Sequence, residues 1–68
     1  MYTLYLWNPW SMGRWIKMHS SEKLSDLLES VKGRKTITYK ITKNGETIKF
    51  VEAPNAYWRY GMVHPKDN

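Results

Sequence analysis

The chain has 68 residues, a net charge of +5, four Trp, five Tyr and one Phe, and no cysteine. A chain this short makes one domain with a thin core, and lacking cysteine it has neither a disulfide staple nor a Cys-based zinc framework. No stretch approaches the ~18 apolar residues of a membrane span, and the apolar run Tyr2 to Trp7 has no basic leader, so a cytoplasmic protein without membrane association is expected.

Met1 to Trp7 reads as the first strand. Tyr2, Leu4 and Leu6 alternate with Thr3, Tyr5 and Trp7, and two largely apolar faces suit an interior strand covered on both sides. Asn8-Pro9 breaks the run, and Trp10 to Gly13 continues a loop. Arg14 to Met18 resumes alternation, with Trp15 and Lys17 opposite Arg14, Ile16 and Met18, so residues 1–18 read as a hairpin. Leu24, Leu27, Leu28 and Val31 then form one apolar stripe at helical period. Ser20 or Ser21 is the expected N-cap, with Glu22 beside the positive end of the dipole, Lys32 in the last turn and Gly33 as terminator. So short a helix must dock its stripe on a sheet.

Asn44-Gly45 lies between two alternating runs over Thr36 to Val51, the signal for a type I′ hairpin. With Lys43 and Glu46 flanking the turn, the expected pairs are Thr42 with Thr47, Ile41 with Ile48, Lys40 with Lys49, and Tyr39 with Phe50. A turn one residue longer would mix core and solvent residues on each face, which disfavours it. Ala53-Pro54-Asn55 reads as a turn, and Ala56 to Val63 as a last strand in which Gly61 marks a bulge or a weak point. His64 begins a polar tail. The domain is expected to span residues 1–64, with 65–68 frayed. The expected fold is α+β: a small antiparallel sheet of four or five strands, in the order β-β-α-β-β-(β), with one helix packed on a face.

Catalytic chemistry is not apparent. His19 and His64 lie far apart in sequence and lack the closely spaced partners of zinc motifs. Glu22, Asp26 and Glu29 share a helical face with Lys23 and Lys32 close by, which describes an ordinary charged surface, and the four glycines form no phosphate-cradling loop. A non-enzymatic binding protein without a cofactor is therefore expected.

Binding features are clearer. Residues 34–50 hold Arg34, Lys35, Lys40, Lys43 and Lys49 against the single acid Glu46, a patch that attracts anionic partners. Lys40 opposite Lys49 would be mutually repelling, and a bound anion would relieve the repulsion; lysines that merely keep an edge strand soluble are the plainer explanation. Trp10, Arg14 and Trp15 in one region, and Trp58 with Arg59 in another, are of the residue types that dominate interface hot spots and stack bases in single-stranded nucleic-acid sites. Trp10, between Pro9 and Ser11, is the ring hardest to fold inward. In composition the chain is similar to many small accessory proteins of phages, including inhibitors of host defence enzymes. The expected function is that of an inhibitor or adaptor docking on a partner protein with an acidic or nucleic-acid-binding surface. The alternative is direct binding of nucleic acid or an anionic nucleotide. Three arginines against eight lysines argue against bidentate phosphate recognition. A homodimer would be one way to enlarge so small a core.

Overall fold

The computed structural model describes residues 1–10, 13–54 and 63–65. They form strands β1 (Tyr2–Asn8) and β2 (Arg14–Ser21), helix α1 (Leu24–Val31), and strands β3 (Tyr39–Lys43) and β4 (Glu46–Val51). The sheet is antiparallel in the order β2-β1-β3-β4. This is the expected α+β arrangement of a small sheet with one helix. The expected last strand falls largely on residues 55–62, and Trp58 and Arg59 with it; these lie outside the described residues.

The alternation in β1 explains its interior place. Tyr2, Leu4 and Leu6 face α1, where Leu4, Leu27, Val31 and Ile41 form the buried core and Leu24, Leu28 and Tyr39 pack around it. The helical stripe is therefore core, and Leu27 is completely buried. Thr3, Tyr5 and Trp7 occupy the opposite face, where Tyr5 pairs with Lys40 and Trp7 with Trp15. Thr38 extends the β1–β3 ladder by accepting the Trp7 N–H at 2.9 Å. Its buried hydroxyl accepts the Ala53 N–H at 3.0 Å, tying the chain after β4 to the sheet.

The helix start differs from expectation. Ser20 and Ser21 end β2, and the N-cap position belongs to Lys23, whose side chain makes no capping bond. The Ser21 hydroxyl still orders this turn, accepting the Lys23 N–H at 3.1 Å and donating to Asp26 at 2.8 Å. A strand that continues to Ser21 leaves no room for a serine at the cap. Gly33 takes φ +78 just past the helix, as a terminator requires. Lys32 is the C-cap residue, just beyond the last turn rather than in it.

The second hairpin keeps its turn and loses its expected register. Asn44 and Gly45 have φ of 52° and 85°, as type I′ geometry demands. Lys43 pairs with Glu46 and Thr42 with Thr47 as expected. Ile48 then stands unpaired as a β-bulge, so Ile41 meets Lys49, Lys40 meets Phe50 and Tyr39 meets Val51. The expected Ile41–Ile48, Lys40–Lys49 and Tyr39–Phe50 pairs do not form. One extra residue shifts every later side chain of β4 to the other face. Lys49 thus lies on the helix face beside Ile41, Phe50 joins Lys40 opposite, and Ile48 is exposed. A second bulge leaves Met18 unpaired in β2, between the Leu4–His19 and Tyr5–Lys17 pairs. Both bulges sit on edge strands, where an interrupted ladder discourages edge-to-edge association.

Gly13, between β1 and β2, is required twice over. Its φ is +80, and a Cβ there would meet Trp7 and Val63 at 2.5–2.6 Å. Val63 itself is held by Trp7, whose indole N–H donates to its carbonyl at 3.1 Å. His64 lies 3.2 Å from Glu52, and Pro65 is buried.

Two outcomes follow from this packing. Leu27→Ala should cost ~2–5 kcal/mol, the range for a buried leucine, read from chemical denaturation; a loss below ~0.5 kcal/mol would place the stripe outside the core. In a nuclear Overhauser spectrum, Lys40 should show cross-strand contacts to Phe50 and Ile41 to Lys49. Contacts of Lys40 to Lys49 would contradict the bulge.

Candidate binding surfaces

On the face away from the helix, the order of strands gathers rings around one cation. Lys40 on β3 is only 7% exposed. Its ammonium lies 4.6 Å from the centroid of Trp15 and 5.6 Å from that of Tyr5, within range of cation–π attraction. Trp15 reaches from β2 across the sheet. It stands edge-on to Trp7 at 5.1 Å and to Phe50 at 5.8 Å. Beside this group Tyr5, Trp15, Lys40, Thr42, Gly45 and Thr47 line a concavity of about 320 Å³.

On the helix face, the covering is incomplete. Eight residues of helix extend roughly 12 Å, whereas β2, also eight residues, extends roughly 26 Å. The helix covers the Leu4–Ile41 end. Towards the first hairpin loop, Ile16 is 43% exposed, Met18 54% and Trp10 52%. These three, with Leu6, Pro9 and Ile37, line a groove of about 330 Å³. A smaller hollow of about 180 Å³ shares Leu6, Met18 and Ile37 with it and runs on to His19, Val31 and Arg34. Among the described residues, no acidic side chain lines either one.

The residues singled out in the sequence are thus dispersed. Trp10 lies in the groove of the helix face, while its expected companion Trp15 lies on the other face with Lys40. Arg14 is exposed at the start of β2, opposite Asn8. Arg34 and Lys35 are exposed between α1 and β3, and Arg34 borders the smaller hollow. Lys43 is exposed next to the turn, its ammonium 5.5 Å from the Tyr2 ring. Lys49 lies beside Ile41, across the sheet from Lys40. A continuous basic ribbon along the hairpin does not exist, because the bulge parts its two central lysines. The sequence did not point to Ile16, Met18 and Ile37 as groove residues, nor to Tyr5 beside Lys40, whereas Thr42 and Thr47 stand on the Lys40 face as alternation in the hairpin predicts. Alternation did place Ile16 and Met18 on one face, and only the shortness of the helix could have indicated that this face stays uncovered.

Among the described residues no helix is long and apolar enough to cross a membrane, and no three His, Asp or Glu side chains converge as metal ligands would. Comparison with known proteins finds no matching family model, no matching curated protein and no matching solved structure.

Proposed function

We propose that this chain is a protein-binding domain, an inhibitor or adaptor, that docks an acidic, apolar segment of its partner in the groove between β2 and residues 36–38. The observation that carries this reading is the joint exposure of Trp10, Ile16 and Met18 along one groove. Isolated exposed apolar side chains are ordinary, but a contiguous group around a hollow marks an interaction surface. Trp is the residue type most enriched in hot spots, and Met adapts its shape to a partner.

Charge supports the chemistry assigned to the partner. The net charge is +5, Arg34 borders the smaller hollow that adjoins the groove, and among the described residues no carboxylate lines either. An acidic segment would meet a complementary field that raises its rate of encounter. Nucleic-acid binding along the hairpin has less support, since Lys40 and Lys49 lie on opposite faces.

The reading is tested by selecting peptides from a randomised library on the immobilised protein. Selected peptides should combine acidic with large apolar residues and bind more weakly as salt rises. Ile16→Glu and Met18→Glu change exposed positions and should leave the fold intact, yet each should weaken binding by about tenfold or more, ~1.4 kcal/mol. Trp10→Ala should act mainly on dissociation. Peptides that bind both glutamate variants as well as the parent would overturn the proposed surface.

A further inference from the structure

The concavity beside Lys40 is a second feature, independent of the groove. A lysine that is 7% exposed is uncommon in so thin a core, and an apolar side chain would fill the same space without the cost of desolvating a charge. Trp15 and Tyr5 flank the ammonium, and an ammonium carries three donors. Among the described residues the remaining walls come from Thr42 and Thr47, which offer hydroxyls, and from Gly45 in the turn, and none of these lining residues is acidic. A cation and two hydroxyls recognise an oxyanion, while aromatic walls recognise a planar ring. At about 320 Å³ the space reaches the lower range of small-molecule pockets and is far larger than a phosphate alone would fill.

We propose that Lys40, Thr42 and Thr47, walled by Tyr5 and Trp15, bind a small phosphorylated planar compound of the nucleoside monophosphate class. The phosphate meets the ammonium and the threonine hydroxyls, and the ring lies against the aromatic walls. The hairpin turn is the mouth of the site. The bulge at Ile48 contributes by setting Phe50, rather than a second lysine, beside Lys40.

The test is an NMR titration of the whole chain with adenosine 5′-monophosphate, phenyl phosphate, adenosine and inorganic phosphate. The two phosphorylated rings should shift the amides of Thr42, Gly45 and Thr47 together with the Trp15 indole N–H. Adenosine and inorganic phosphate should bind about tenfold more weakly or worse. Lys40→Met retains length and ring contact; folded, as its spectrum will report, it should lose at least about tenfold in affinity. Thr47→Val, at a half-buried position, should weaken phosphate binding several-fold and serves as the test if Lys40→Met does not fold. Adenosine binding as tightly as its monophosphate would overturn the proposal. So would shifts confined to Trp10, Ile16 and Met18, undiminished binding by the folded variants, or no shift at about 10 mM ligand.

Discussion

A helix of eight residues has to cover a sheet whose strands are up to twice as long in space, and it cannot. Leu24, Leu27, Leu28 and Val31 meet Leu4 and Ile41, and there the apolar stripe ends. Gly33 turns the chain away at φ +78. Beyond that point Ile16 and Met18 continue the apolar face of β2 without a helical turn above them. The first hairpin loop adds Trp10 at the far end, where the Trp10 N–H donates to Asn8 at 3.0 Å and the Trp10 carbonyl accepts the Gly13 N–H at 3.1 Å. The groove is a consequence of helix length, and its aromatic end is held by the geometry of the loop.

The two β-bulges shape the rest. Met18 and Ile48 are extra residues on the two edge strands, and both are exposed. Bulged edges make poor templates for strand addition, so side-chain surfaces rather than ladder edges are left for association. The Ile48 bulge also determines the chemistry of the face away from the helix. Without it Lys49 would face Lys40; with it Phe50 stands there and Trp15 packs edge-on against Phe50. A lysine surrounded by rings replaces a pair of repelling lysines, which reconciles burial of the cation with a stable sheet.

Much of the fold was legible because its signals are local. Asn44-Gly45 specified the turn, and the stripe from Leu24 to Val31 specified both the helix and its buried side. Trp10 was readable as exposed from its place after Pro9. The register beyond Thr42 was not legible, since the turn fixes only the nearest pairs and Ile48 suits a paired or a bulged position equally well. Nor was the burial of Lys40, because it depends on β1 lying between β2 and β3, which brings Tyr5 and Trp15 to a residue distant in sequence. The groove escaped notice for a similar reason: Ile16 and Met18 look like core by alternation, and only the extent of the helix shows otherwise.

The central claim is that the apolar end of the helix face is open in the free protein. Paramagnetic relaxation by an inert, soluble gadolinium chelate measures this directly on side-chain methyl groups. Strong relaxation is expected at Ile16 and Met18, weak relaxation at Leu27 and Ile41, and the same pattern at every protein concentration. Methyl groups of Ile16 and Met18 as protected as those of Leu27 would show that the groove is already filled and would contradict it.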